Sequence, residues 1–473
     1  MHLLLLPTQL FDFRKVGVVP SKVTLYEDPH FFTAFRYHKL KLLYHRLTCK
    51  VQAELLRKQG YAVRYVEFHE KLPKEKWHMF DPVHHELLDK YKKGGATILP
   101  TPQFLDASPL DPGNGGHAPF YRRMRKRLGV LIDKTGPVGR KWSFDEANRL
   151  PPTYKAGPPA PPRPRHSTVP HFAQLYALSA QYIHTHFDSN YGDIPDRAAQ
   201  FPYPVDHAGA RHWLRDFVAH RLSSFGPYED AIDKNSDFVY HSVLSPMMNI
   251  GLLLDREVLE AALRCQDVKL NSLEGFVRQV IGWRQYVHAL YVHRGKVLKR
   301  SNFLGHRRRL TDAWWTASTG MPPVDAVIRK IQRLAYAHHI ERLMVLGNWM
   351  LLNQTDPREV YRIFMEWTID AYEWVMVPNV FGMSQFADGG QMMRRPYFSA
   401  AAYLLKMSNY GRGSGDDDWV ELWNACYYAF IDKHKKKLAK NYFMQPALHV
   451  WKNKPQGERR RLLRLAKEYA ARQ

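Results

Sequence analysis

Thr319-Gly320-Met321-Pro322-Pro323-Val324-Asp325-Ala326, then Ala337-His338-His339-Ile340-Glu341-Arg342-Leu343-Met344, is the stretch on which the reading of this chain turns. It sets polar groups into sequence that otherwise has the rhythm of buried helices. If one helix runs from Ala326 to Leu352, His338 and Arg342 lie four residues apart and His339 and Arg342 three, so an imidazole pair and a guanidinium share a face. Leu343, Met344 and Val345 follow directly, which puts that face inside the protein, where a charge must be paired or bound to a ligand. A large anionic cofactor satisfies it. Asp370-Ala371-Tyr372-Glu373-Trp374 and Gly382-Met383-Ser384-Gln385-Phe386-Ala387-Asp388-Gly389-Gly390 continue the pattern towards Tyr403.

Outward from this region, 473 residues exceed one ordinary domain, and a hydrophobic content of 45% with 13% aromatics is that of a globular protein. No apolar run reaches the roughly 20 residues of a membrane span. Met1-His2-Leu3-Leu4-Leu5-Leu6-Pro7 is too short for a signal peptide and reads as a first strand. The 3 cysteines, Cys49, Cys265 and Cys426, form no CxxC, so neither a disulfide framework nor a metal motif is visible and a cytoplasmic location is expected. A formal charge of +24, concentrated at Arg122-Arg123-Met124-Arg125-Lys126-Arg127, His306-Arg307-Arg308-Arg309, Lys435-Lys436-Lys437 and Arg459-Arg460-Arg461, favours a polyanionic partner such as nucleic acid.

Short apolar runs at Leu3 to Leu6, Val23 to Tyr26, Val63 to Phe68 and Thr97 to Leu99 alternate with amphipathic stretches, one of which, Arg36 to Lys58, ends at Gly60. This βαβ pattern predicts a Rossmann-like α/β domain with a parallel sheet over residues 1–135. Pro151 to Arg165 is a proline-rich run that builds neither helix nor central strand, so 136–172 is read as a connector. Over 173–473 strand signals nearly vanish. Helices are expected at Trp213 to Leu222, Leu252 to Cys265, Leu273 to Val292, Ala326 to Leu352, Val360 to Trp374 and Trp419 to Leu438, which makes this part all-α.

There is no Walker loop, no GxGxxG after a strand and no GxSxG, and the 24 histidines show no HExxH spacing, so no metal site is assigned. His241-Ser242-Val243-Leu244-Ser245-Pro246 offers two hydroxyls where a helix begins, which suits phosphate or an ordinary N-cap. Arg278-Gln279-Val280-Ile281-Gly282-Trp283-Arg284 places arginine beside an aromatic, which suits a structural ion pair or a cofactor contact equally.

Together these motifs resemble the photolyase and cryptochrome superfamily. The run Trp315-Thr316-x-x-Thr319-Gly320-x-Pro322-x-Val324-Asp325-Ala326 is the most specific, and His338-His339, Gly382 to Gly390 and Gly282-Trp283-Arg284 look like its bacterial photolyase-related branch. The resemblance implies a helical FAD-binding catalytic domain after the α/β domain. It implies that His241, Ser242, Leu244 and Ser245 hold the FAD diphosphate, with Tyr228 near the adenosine end. Gln279, Trp283, Arg284, His339, Arg342, Asp370 and Met376 would surround the rest of the cofactor. His338 and His339 would face the lesion, one of them giving a proton, and Tyr397, Trp283 and Tyr403 would line a pocket for an extruded dinucleotide. Arg307, Arg308 and Arg309 would bind DNA.

The chain also departs from that branch. The four iron-sulfur cysteine positions fall on Pro323, Gly411, Ser414 and about Glu421, so no cluster is expected. Met376 replaces a polar residue near flavin N5, and Ile363 and Phe364 replace the nearest aromatic electron relays, leaving Trp315. Phe31 stands where the branch has a glutamate contacting a lumazine antenna, and Pro7-Thr8-Gln9 replaces Gly-Asp-Gln, so the resemblance does not extend to the antenna chromophore. The expectation is a monomeric, blue-light-driven DNA photolyase acting on UV-damaged DNA at (6-4) photoproducts, without membrane attachment. A cryptochrome-like photoreceptor without repair activity is the alternative.

Overall fold

The computed structural model describes residues 1–106, 108–153, 157–162, 164, 169, 171–410 and 418–472. Five strands, β1 (His2–Leu5), β2 (Lys22–Tyr26), β3 (Ala62–Val66), β4 (His78–Phe80) and β5 (Thr97–Leu99), make one sheet in the order β3-β2-β1-β4-β5. Every pairing in it is parallel. The run Leu3 to Leu6 is wholly buried because β1 lies at the centre with both faces covered. β4 is absent from the apolar runs of the sequence. It is three residues long and becomes a strand only because β1 and β5 flank it.

The long helix of this region spans Lys39–Lys58, capped by the His38 side chain on the Leu40 amide. It does more than cover the sheet. His38, Lys41 and His45 lie on one face of it, turned to the helical half of the chain. His38 Nε2 lies 3.0 Å from the carbonyls of Ile331 and Gln332, Lys41 Nζ donates to those of Met365 at 3.1 Å and Ala371 at 2.7 Å, and His45 Nε2 lies 2.9 Å from the Tyr372 hydroxyl. Ile331 and Met365 stand near the C-terminal ends of the helices Pro322–Leu334 and Pro357–Trp367, where carbonyls run short of helical donors, although that of Ile331 also accepts from the Ala335 amide at 2.6 Å. The α/β half therefore caps two helices of the other half.

At the switch between β1 and β4, where open parallel sheets usually take a ligand, Gln9 donates to the Phe80 carbonyl at 2.6 Å, and the Leu10 amide donates to Ile250 of the helical half. Gly251, with φ +90°, lets Phe11 approach so closely that a Cβ there would sit 2.6 Å from its ring. A cavity in this seam, lined by Phe31, Lys41, His45 and Tyr372, is about 20 Å³, the size of one water.

A hairpin at Ile132–Asp133 and Gly136–Pro137 follows the sheet. Residues 154–156, 163 and 165 of the proline-rich run lie outside the described residues. From Phe172 onward the described residues are helical apart from turns and two isolated bridges. Two helices expected as single rods are not. Leu273 to Val292 is divided into Leu270–Val277, a π-helical segment Arg278–Arg284 and Gln285–Leu298. Ala326 to Leu352 breaks where Ala335 takes φ +49°, and helix resumes only after His338. Among the described residues no helix is long and apolar enough to cross a membrane.

Candidate functional site

The segments that carry the unusual polar sequence share a local form: Arg278–Arg284, Glu341–Gly347 and Pro378–Ser384 are all π-helical. Such wide turns cost hydrogen-bond quality and concentrate at functional positions. Between them the chain assembles a hub on Asp370. Arg342 Nη1 lies 2.9 Å from Asp370 Oδ1, Ser245 Oγ donates to Oδ2 at 2.6 Å, and Asn249 Nδ2 donates to the Asp370 carbonyl at 2.8 Å. Burial works against the Arg342 charge and the Asp370 carboxylate more than offsets it, so its pKa is raised and it stays a cation. Asn249 also accepts from Arg284 Nη1 at 2.5 Å, and Arg284 Nε pairs with Asp255 at 2.7 Å. Arg284 is thus in an ion pair, yet its guanidinium also lies over the Trp374 ring at 4.9 Å and its Nη2 has no hydrogen-bond partner.

Ser245 opens the short helix Ser245–Asn249, with Leu244 at its N-cap position. The turn before it is strained, since Val239 and Val243 take φ +48° and +54°, conformations costly for β-branched residues. That turn is fixed from outside: Trp213 Nε1 donates to the Ser242 carbonyl at 2.9 Å, and buried Arg221 donates to that of His241 at 2.6 Å. The Tyr228 ring stacks on Tyr240 close by.

The two neighbouring histidines do not share a face. His338, wholly buried and outside the helix, stacks on His241 with centroids 4.2 Å apart and planes 10° from parallel, and neither of its ring nitrogens has a hydrogen-bond partner. Burial drives the His241 pKa down to about 3 and holds that of His338 well below the usual imidazole range, so both rings are neutral. His339, with 49% of its side chain exposed, turns outward and stands 3.8 Å from Asp230. The expectation that both histidines look into one lesion pocket is therefore corrected: the break at Ala335 sends His338 into the core. The nitrogens of His241, His338 and His339 lie within 4.8 Å of one another, but a metal must lie near the plane of each ring it binds, and stacked rings do not offer such a point.

The other expected residues distribute as follows. Trp283 lies flat against His117, centroids 3.8 Å apart, where Gly282 leaves room for the imidazole. Gln279 donates to the Gly275 carbonyl at 3.2 Å, and Met376 is buried in the helix Glu373–Val377. Tyr397 and Tyr403 are half-buried, and Arg307, Arg308 and Arg309 are exposed. Pro323 is buried at the start of its helix, Glu421 pairs with Arg461, and Gly411 and Ser414 lie outside the described residues. Sequence reasoning missed Lys41, Asn249 and Trp367. Lys41 was readable as a lysine on the apolar face of Lys39–Lys58. Trp367, wholly buried, meets Trp315 edge to face at 6.1 Å and stacks on Tyr191 at 5.2 Å.

The fold and this site define a two-part protein, a parallel-sheet α/β half joined to a helical half with a cation–carboxylate hub in its interior. Residues 3–98 and 114–198 match the family model of deoxyribodipyrimidine photo-lyase-related proteins, and residues 276–410 match the FAD binding domain of DNA photolyase. A (6-4) photolyase from Agrobacterium fabrum is 36% identical over 343 residues, 70% of this chain; the chain spans 65% of that relative's length. A class III photolyase from Agrobacterium tumefaciens has the same fold at TM-score 0.58 and 15% identity, covering 100% of this chain and 98% of its own. The cryptochrome of Synechocystis matches at TM-score 0.52 and 17% identity over 86% of this chain and 88% of its own. The chain belongs to the photolyase/cryptochrome superfamily, in its bacterial photolyase-related branch.

The residues present fit FAD. The part-buried guanidinium groups of Arg342 and Arg284, the latter with its Nη2 unpartnered, are donors of the kind an anionic ring takes.

Proposed function

We propose that this protein is a blue-light-driven DNA photolyase acting on (6-4) photoproducts, with residues 1–135 as the α/β domain, 136–172 as the connector and 173–473 as the catalytic domain. The observation that carries this reading is the Arg342–Asp370 pair in the core of the helical half, with His339 at its solvent edge. Bound and reduced, FAD supplies the light-driven electron. Arg342 and Arg284 hold its ring, Asp370 keeps Arg342 in place, and the turn from His241 to Ser245 takes the diphosphate, with Tyr228 towards the adenosine end. His339 carries the proton delivered to the photoproduct, while Trp283, Tyr397 and Tyr403 give the flipped bases an aromatic lining. The exposed basic clusters grip phosphates, so affinity falls steeply with salt. The protein acts as a cytoplasmic monomer in this reading.

The test gives chemically pre-reduced, FAD-loaded protein a duplex with one defined (6-4) photoproduct and measures intact-base recovery in blue light against a dark control. Light-dependent recovery is the expected result. No recovery on this lesion or on a cyclobutane dimer, with FAD bound, overturns the reading in favour of a photoreceptor.

A further inference from the structure

Two aromatic side chains stand in solvent on a basic surface. Tyr442 is 83% exposed and Phe443 48%, edge to face with centroids 5.7 Å apart. They sit in the tight turn between the helices Asp418–Leu438 and Gln445–Asn453. The turn is held from both sides: Asn441 accepts from the Phe443 amide at 2.9 Å and donates to the Arg394 carbonyl at 2.7 Å, and Gln445 donates to the Ala439 carbonyl at 2.7 Å. A rigid turn that presents adjacent rings to water, with nothing gained in the core, points to a partner that covers them.

The charge around the pair says which partner. Arg394 and Arg395 are exposed on the loop that runs into Tyr397, and Lys436 and Lys440 are exposed just before the turn. Lys437 Nζ donates to the Phe303 carbonyl at 2.5 Å, and His306 Nε2 lies 3.0 Å from His434 Nε2. These links bring Arg307–Arg309 beside Lys435–Lys437, although 128 residues separate the two histidines that join them. Rings set among cations, next to the loop of a lesion-pocket residue, match a nucleic acid whose phosphates take the cations and whose bases take the rings.

We propose that Tyr442 and Phe443 form a wedge that stacks against the bases left exposed when the damaged dinucleotide leaves the duplex, while the surrounding lysines and arginines hold the flanking phosphates. This rests on the photolyase reading and adds to it a surface outside the lesion pocket. Opening a base step costs stacking energy, which an inserted aromatic side chain returns.

The full-length protein is tested in the dark with a short duplex carrying one (6-4) photoproduct and 2-aminopurine beside it. Wild type is expected to raise the 2-aminopurine fluorescence on binding. The double variant Tyr442→Ser, Phe443→Ser is expected to lose that rise and bind roughly 10-fold more weakly with the salt slope unchanged, because no charge is removed. Lys436→Gln and Lys440→Gln keep the rise and each lower the salt slope by about 0.9. Unchanged affinity and fluorescence in the double variant overturn the wedge. Both side chains being exposed, the fold is retained, and Tyr442→Ser alone is a second reading of the same effect. Repair of the lesion in a short single strand separates the two levels. A wedge variant that repairs it at the wild-type rate supports the wedge. If the wild type repairs nothing while the double variant still loses the fluorescence rise, the photolyase reading is overturned and the wedge stands as a DNA contact.

Discussion

His338 lies face to face with His241, planes 10° from parallel, whereas its chain neighbour His339 turns to Asp230 and solvent. Adjacent residues of one type thus have opposite environments. Burial keeps the first neutral, while the second is half-exposed beside a carboxylate.

His339→Ala is expected to keep its FAD and its melting temperature and to lose repair by about 100-fold or more, the usual worth of a positioned acid. His338→Ala, which empties a fully buried site against His241, is expected to cost roughly 2–3 kcal/mol and show as a lower melting temperature with FAD loss. Full repair by His339→Ala removes the proton-donor role.

Asp370 joins Ser245, Asn249 and Arg342. Asp370→Ala leaves a buried guanidinium without its carboxylate and should destabilise the protein by about 3–5 kcal/mol. Ser245→Ala removes one hydrogen bond and should cost about 1 kcal/mol. Urea unfolding together with flavin absorbance after gel filtration measures both, and the ranking fails if the two variants retain equal flavin.

Lys41 is buried among backbone carbonyls, and burial lowers its pKa from 10.5 to about 7, with Asp370 pulling it up and Arg342 pushing it down. The unfolded chain takes up this proton at higher pH than the folded one. Its contribution is therefore complete above pH 10.5 and is lost as pH falls towards 7. Between these values wild-type stability should change by up to about 1.4 kcal/mol per pH unit more than that of Lys41→Met. Parallel pH slopes in denaturant unfolding of the two proteins would count against a neutral buried amine.

Trp367 and Trp315, centroids 6.1 Å apart, form an indole pair beside the positions where Ile363 and Phe364 are buried. Trp367→Phe should slow light-driven reduction of bound FAD by a chemical donor about 10-fold or more while leaving the photochemistry of pre-reduced protein intact. Equal photoreduction rates in the variant and wild type would rule this pair out as the route.

Much of the fold was legible because it is encoded by near neighbours. The apolar runs at Leu3 and Val23 alternate with a helix that ends at Gly60, and this rhythm fixes a parallel sheet without knowledge of distant contacts. The strand His78–Phe80 was not legible, since three residues of mixed polarity become a strand only when β1 and β5 bracket them. That Arg342 and Asp370 stand in one place was implied by family resemblance. The attachment of Ser245 to the same carboxylate, across 125 residues, was not.

By itself the sequence determined the two-part architecture, the family through Trp315 to Ala326, and a formal charge of +24. Only the tertiary structure decided where the histidines go, how Lys41 reaches across the seam, and that Arg307–Arg309 and Lys435–Lys437 form one surface. The physical reason is one of range. Periodicity and composition act over a few residues, and alanine at 335 carries every local preference for helix. Its positive φ, which turns His338 inward and His339 out, is imposed by packing from elements far away in the chain.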